Sequence, residues 1–323
     1  MDIKDIKIIG RYSISNNHYI FYNGGSGFSF KMKGNSFSSL FKSTPIKGYF
    51  YIIIDRDFNN KVKVLTSNKP YRFVFKDNQE HLVDIVKANE SNDNSFELLS
   101  FDVDGELLPY DHHYEKRVKV YGDSTIAGFG VLAKTGEASI HNSDSVIDFC
   151  YHALYELNME MNIFSASGFG LVFSAYTNPK NIGIIDFIDK TSVYSKATYL
   201  DNSKYDLLII SLGCNDNSYI DEQPNNRKEN IQRFKEQYKR LIDVELGKNK
   251  DLKILMIYGA LNEMNAYYLY EETYEYLKPM YKDLYIHKFK GDSSAISNHA
   301  YVTAHDEMAE ELKNVIKSII KLN

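Results

Sequence analysis

Tryptophan is missing from this sequence altogether, while tyrosine occurs 26 times. A cleft that needs flat aromatic faces, as a sugar site does, must therefore build them from Tyr or Phe. Cysteine is scarce: Cys150 and Cys214 lie far apart and fit no metal spacing. They read as free thiols of a reducing compartment. No His, Asp or Glu cluster shows ligand spacing, so neither a metal nor a cofactor is expected. Charge of one sign is lacking too. The net charge is −5 and no basic stripe runs along the chain, so nucleic acid is not an expected partner. No stretch approaches the ~20 apolar residues that span a bilayer, and no membrane partner is expected. The opening "MDIKDIKIIGRYS" has no apolar run behind a basic segment. The expectation is a cytoplasmic protein, or a secreted one if a leader once preceded Met1.

What is present has a globular balance, with 43% hydrophobic and 25% charged residues. A length of 323 residues accommodates one large domain or two ordinary ones. The first third reads as β. Runs such as "HYIFYN", "GFSFKMKG", "GYFYIIID", "KVKVLT", "YRFVFKD", "HLVDIVKA" and "SFELLSFDVD" alternate with turn clusters such as "NGGSG", "DRDFNN", "SNKP" and "ESNDN". Strands at this spacing, with no helical period between them, predict an antiparallel sandwich over residues 1–110. The pattern changes after "ELLPYDHHYEKR". From 115 to 323, strands such as "KRVKVYG", "MNIFSAS", "YDLLIISLG" and "LKILMIYG" alternate with amphipathic segments. Those helices are "SDSVIDFCYHALYEL", "RKENIQRFKEQYKRLIDVEL" and "TAHDEMAEELKNVIKSIIKL". That alternation predicts a parallel sheet covered on both faces, an α/β domain.

Ligands of a parallel sheet collect beyond the carboxyl ends of its strands. Three such ends carry unusual residues: Asp123-Ser124 after "VKVYG", Gly168 with Gly170 after "NIFSAS", and Gly213-Cys214-Asn215-Asp216 after "LLIISL". All three are expected at one crevice. Acyl transfer needs a hydroxyl nucleophile, a base, and donors for the developing oxyanion. Ser124 fits the first role; the plain alternative is a turn serine that caps the next helix. Its own N–H, the Gly168 N–H and the Asn215 amide fit the donor role, with Gly170 as the rival glycine. Asp123 and Asp216 read as braces that accept backbone N–H groups. Cys214 reads as a small buried residue.

Of nine histidines, His18 and His81 lie in the β region, His112 and His113 at the junction, His141 on a loop, His152 on a helix and His287 in a strand. His299 and His305 stand at the entry to the last helix, where Thr303 and Asp306 resemble a capping pair. His299 falls on the loop, where it can reach a strand-end site, and is the expected base. His305 is the rival. The tyrosine-rich "MNAYYLYEETYEYLKPMYKDLY" is expected to be mostly the apolar side of a surface helix.

At these residues the sequence resembles the SGNH, or GDSL-type, hydrolases. Their four blocks carry Ser, Gly, Asn and His in that order. Ser124 in "GDS", Gly168 in "SASGFG", Asn215 in "GCND" and His299 before "HDEMAEEL" match one each. With the preceding "IIGRYS", "FKMKGNSFS", "GYFYIIID" and "HLVDIVKANES", the chain resembles the second family of carbohydrate esterases over almost its whole length. The resemblance implies a jelly-roll-like sandwich before a three-layer α/β/α SGNH domain. It also implies a Ser-dependent esterase that removes acetyl groups from plant-type polysaccharide such as xylan or mannan. One departure stands out. Where the superfamily has Asp-x-x-His or Asp-x-His followed by Pro, this chain reads "AISNHAYVTAH", with Ile296, Ser297 and Ala300 at those places. The resemblance then implies a Ser–His dyad oriented by a backbone carbonyl, with Asp292 as an alternative acid. Other readings are a lipid, thioester or general esterase of the same superfamily, or a non-catalytic carbohydrate-binding protein.

Overall fold

The structure is a computed structural model that describes residues 5–261 and 266–322. Its first part is a nine-stranded antiparallel network. Chain order gives β1 (Ile6–Ile9), β2 (Tyr12–Ser15), β3 (His18–Phe21), β4 (Gly27–Pro45) and β5 (Tyr49–Ile54). Then come β6 (Val62–Leu65), β7 (Tyr71–Val74), β8 (Glu80–Lys87) and β9 (Asn94–Leu108). The long β4 holds it together. Its first half pairs with β1 and β8, and its second half with β7 and β9, across a bulge between Gly34 and Ser36. Strands that change partners in this way fold the network into two layers, a sandwich. Between them lies an aromatic core that includes Phe21, Phe28, Phe30, Phe37, Phe41 and Phe96. "GFSFKMKG" predicts a strand that stops near Gly34, yet β4 continues through "NSFSSLFKSTP". Ser36 and Ser39 are buried there, on a strand paired along both edges. β1 and β2 are further strands that the hydrophobic pattern does not announce.

The second part is a five-stranded, all-parallel sheet in the order β11-β10-β12-β13-β14. These strands are β10 (Arg117–Gly122), β11 (Glu160–Ser165), β12 (Leu207–Ser211), β13 (Lys253–Tyr258) and β14 (Leu284–Lys288). The helices are α1 (Ser124–Ala127), α2 (Phe149–Glu156), α3 (Cys214–Asp221), α4 (Arg227–Leu246), α5 (Tyr267–Leu277) and α6 (Val302–Ile319). Side chains alternate across the sheet. Leu207 and Ile209 of β12 enter the apolar layer under α2 and α6, while Leu208 and Ile210 enter the layer under α4 and α5. Continuous apolar strands buried on both faces are what a parallel sheet between helical layers requires.

The two parts share a core. Tyr51, Ile53, Phe58, Val86 and Ala88 of the sandwich pack into the α2–α6 layer. Arg11 pins them further from a fully buried position, donating to the carbonyls of Ile188 (3.1 Å) and Lys190 (2.6 Å) and lying 4.1 Å over the Phe164 ring. One local expectation shifts. α2 begins at Phe149 rather than in "SDSV", because the Asp148 carboxylate caps it, accepting the N–H of Cys150 at 2.7 Å. The tyrosine-rich segment forms α5, with Tyr270 buried; its Met264 and Asn265 lie outside the described residues.

Candidate active site

The site is built from strand ends and from loops pinned to one another. β10 ends at Gly122, and Asp123 caps α1, accepting from the Thr125 N–H (3.0 Å) and hydroxyl (2.9 Å). Burial pushes the Asp123 carboxyl up to about 6. Ser124 is then the first helical residue, so its N–H has no acceptor within the helix. Its side chain faces a cleft at 8% exposure.

The chain after β11 shows a full use of amides with one exception. Ala166 N–H donates to Gly122 O, Ser167 N–H to Glu90 Oε2, Phe169 N–H to Ala166 O and Gly170 N–H to Phe173 O. The N–H groups of Leu171 (2.7 Å), Val172 (2.8 Å) and Phe173 (2.9 Å) all converge on the Asp216 carboxylate. Among the described residues only the Gly168 N–H in this run has no protein acceptor, and Gly168 lines the cleft. Gly170, the rival, is committed elsewhere. A side chain there would also strike the clasp, since a Cβ would stand 2.2 Å from Asp216 Oδ2. Burial pushes the Asp216 carboxyl up to about 7, with its three N–H donors pulling the other way. α3 carries Asp216 beside Asn215, whose side-chain amide donates to Phe169 O at 3.1 Å. An amide has two N–H groups, so one remains for a ligand.

The loop before α6 delivers the imidazole. It is tied to the segment that follows Ser124: Ile296 N–H donates to Ala133 O and Val302 N–H to Val131 O. Gly130, at φ +63°, makes room for Ile296, whose Cγ1 would be 2.4 Å from a Cβ at that position. The glycine-rich tail of "GDSTIAGFG" thus seats the histidine loop. Ser297 and Asn298 both adopt left-handed backbone (φ 53° and 60°), a region sparsely used by non-glycine residues. This turn aims the Ser297 carbonyl at His299 Nδ1, 2.9 Å away. A carbonyl can only accept, so Nδ1 carries the proton and Nε2 is the lone-pair nitrogen. Nε2 lies 2.7 Å from Ser124 Oγ and accepts its hydroxyl proton. Burial pulls the His299 pKa below its ordinary 6.5.

Other expected residues fall elsewhere. Asp292 does not touch the imidazole; its Oδ2 accepts from Ser294 and from the Tyr301 N–H at 3.1 Å, bracing the loop. His305 is buried, its Nδ1 accepting the Phe149 N–H at 3.1 Å. Thr303 and Asp306 do not cap α6, whose N-cap is Tyr301 without a side-chain bond. Cys214 is half-buried, packing against the core beside Tyr270 while also lining the cleft.

The cleft encloses about 380 Å³ between Ser124, His299, Gly168 and Asn215. Among the described residues its lining carries no Asp, Glu, Lys or Arg, and Tyr176 stands at its rim, 87% exposed. Sequence reasoning passed over Phe129, whose ring lies 4.9 Å from that of His299, as well as Tyr176, Asn92 and Glu90. The last two belong to "ESNDN", which reads as a turn cluster and nothing more. Among the described residues no three His, Cys, Asp or Glu side chains gather as a metal site would need, and no helix is long and apolar enough to cross a membrane.

Both halves have counterparts among known proteins. Residues 8–110 match the family model described as carbohydrate esterase 2 N-terminal. No curated protein matches the sequence. Solved structures do match in fold. A family two carbohydrate esterase from Clostridium thermocellum, in complex with cellohexaose, is 22% identical with a TM-score of 0.82, covering 97% of this chain and 98% of its own. The family two enzyme from Cellvibrio japonicus is 19% identical (TM-score 0.83; 98% and 95% covered). An acetyl xylan esterase from the rumen bacterium Butyrivibrio proteoclasticus is 14% identical (TM-score 0.83; 98% and 96% covered). The architecture is therefore that of a two-domain SGNH-type protein, a sandwich joined to a three-layer α/β unit. More narrowly, it is the fold of the family two carbohydrate esterases, and the resemblance read from the sequence extends over both parts.

Proposed function

We propose that this protein is a serine ester hydrolase that removes acetyl groups from acetylated carbohydrate. The observation that carries the reading is the 2.7 Å contact between Ser124 Oγ and His299 Nε2, inside a cleft where the Gly168 N–H is left without an acceptor. The neutral His299 takes the Ser124 proton as Oγ attacks the acetyl carbonyl. The N–H groups of Ser124 and Gly168 and the Asn215 amide surround the oxygen that becomes negative. Each donor is worth roughly 3 kcal/mol in the transition state. His299 then protonates the departing sugar hydroxyl, and water releases acetate by the reverse sequence. Asp123 and Asp216 support the site by holding its loops. The route uses only protein groups and water.

The substrate side of the reading rests on three supports. One is the sandwich match to the carbohydrate esterase 2 N-terminal family, and another the fold shared with carbohydrate esterases, among them an acetyl xylan esterase. The third is a cleft whose described lining is neutral, with Tyr176 exposed as a face on which a sugar ring can stack. The test is acetate release from a chromogenic acetate ester and from acetylated xylo- and manno-oligosaccharides. Wild type is compared with Ser124→Ala and His299→Ala. The expected result is release by wild type and a loss of at least about 10³-fold in either variant. Equal rates in all three would remove the mechanism, and preference for long acyl chains would move the substrate from glycan to lipid.

A further inference from the structure

The loop between β8 and β9 belongs to the sandwich, yet its tip enters the cleft. Asn92 lines the cleft, and two residues before it Glu90 is 2% exposed, with Oε2 accepting the Ser167 N–H at 2.9 Å. The loop around Glu90 is fixed from several sides. Asn89 accepts the Tyr49 N–H (2.7 Å) and donates to Ile140 O (2.9 Å). The buried Lys87 ammonium donates to the carbonyls of Asn89 and Glu90. The Ser145 N–H donates to Ala88 O. A carboxyl is an expensive group to bury; burial, then the Asp93 carboxylate, pushes Glu90 up to about 7, while Ser167 and the Lys87 ammonium pull the other way. The backbone amide that it accepts is the one immediately before Gly168.

We propose that Glu90 is a positioning residue, which holds the Ser167–Gly168 peptide so that the Gly168 N–H points at the substrate carbonyl. The inference rests on the esterase reading above. It assigns to the sandwich a part in the chemistry beyond packing. Ser167 has its donor held from the sandwich side by Glu90. Phe169 is held from the α/β side by the Asn215 amide, and residues 171–173 by Asp216. Gly168 sits between these grips at φ +80°, with no side chain of its own to fix it. Without Glu90 the Ser167 N–H loses its acceptor, and the nearest hold on that side is the longer Ala166 N–H contact to Gly122 O at 3.3 Å. Oxyanion donors act through exact placement, and a shift of about 1 Å can cost around 10²-fold.

The test uses Glu90→Ala and Glu90→Gln, with kcat per active site titrated by a serine-reactive phosphonate. Titration removes any loss due to unfolded protein, which a merely structural role would produce. In Glu90→Ala, kcat per titrated site is expected to fall about 10- to 100-fold, with KM changed by less than about threefold. Glu90→Gln keeps an acceptor at the same reach and should recover to within about threefold of wild type. If Glu90→Ala does not fold, Glu90→Asp, which withdraws the acceptor by one methylene, is read in the same way. Wild-type kcat per titrated site in the Ala variant (or in Asp, where Ala fails) overturns the assignment, as does a Gln variant as impaired as Ala. A wild type that turns over no ester overturns the function itself, and the assignment with it.

Discussion

The Ser297 carbonyl lies 2.9 Å from Nδ1 of His299, in the place where a triad would set a carboxylate. It orients the ring and selects the tautomer with its lone pair on Nε2, but it adds no negative charge to stabilise an imidazolium. The nearby acid, Asp292, is occupied with the backbone of the same loop. Replacing it therefore separates a dyad from a triad. Asp292→Asn should lower kcat by no more than about tenfold, because the loop loses part of its brace. Removing a true triad acid costs about 10⁴-fold. Steady-state rates on an acetate ester decide between these.

The pH profile follows from the same ring. His299 must be neutral to act as base, and burial holds its pKa below 6.5. As pH falls through that lowered value, the ring takes a proton and the rate falls. The acid limb of kcat/KM should thus lie below pH 6.5, with activity nearly flat from there to about pH 8. An acid limb centred above pH 7 would contradict a buried dyad histidine.

Much of this site is legible in the sequence, and what is missed has common physical causes. Ser124, Asn215 and Asp216 are marked by apolar runs that end in Gly-Asp-Ser and Gly-Cys-Asn-Asp, since strand ends of a parallel sheet converge. The amphipathic period of 227–246 coincides with α4 because one face packs throughout its length. By contrast, the choice between Gly168 and Gly170 depends on which amide is left over, which needs every acceptor in three dimensions. The Ser297 carbonyl depends on two left-handed residues that carry no glycine to signal them. Glu90 and Asn92 lie in a loop of the other sheet, and only tertiary packing brings them to the cleft. β4 is underestimated because its buried serines look like a turn.

Asp216 offers a test of the loop clasp. Asp216→Asn keeps one oxygen for the Val172 and Phe173 amides but turns an NH₂ toward the Leu171 N–H. One buried donor is left unsatisfied, which costs about 1–3 kcal/mol. The Gly168 loop shifts with it. The variant should lose that much stability in urea unfolding and about tenfold in kcat. A variant of unchanged stability and rate would show that the convergence on this carboxylate is dispensable.

Tyr176 stands exposed at the cleft rim, where its ring face can stack on a sugar of the substrate. Tyr176→Ala should raise KM for an acetylated oligosaccharide by about 3- to 10-fold, the worth of one aromatic stacking contact. KM for a small chromogenic acetate, which has no second sugar to stack, should change far less. Equal effects on both substrates would place the ring at the acyl group instead.

His305 supplies a stability prediction independent of catalysis. Burial, then the charge of His299, push its pKa down to about 3, and its Nδ1 accepts the Phe149 N–H. A proton on that nitrogen would set two N–H groups face to face. In the unfolded chain the same histidine titrates near 6.5. Between about pH 6.5 and 3 the unfolded state therefore binds one more proton at this position than the folded state. Stability falls as pH drops through that window, by up to about 1.4 kcal/mol per pH unit. His305→Asn retains an acceptor for Phe149 and cannot titrate. Its unfolding free energy, measured in urea from pH 7 to 4, should decline with a slope shallower by about one proton. Parallel slopes for the two proteins would mean that His305 is already free to take up its proton in the fold.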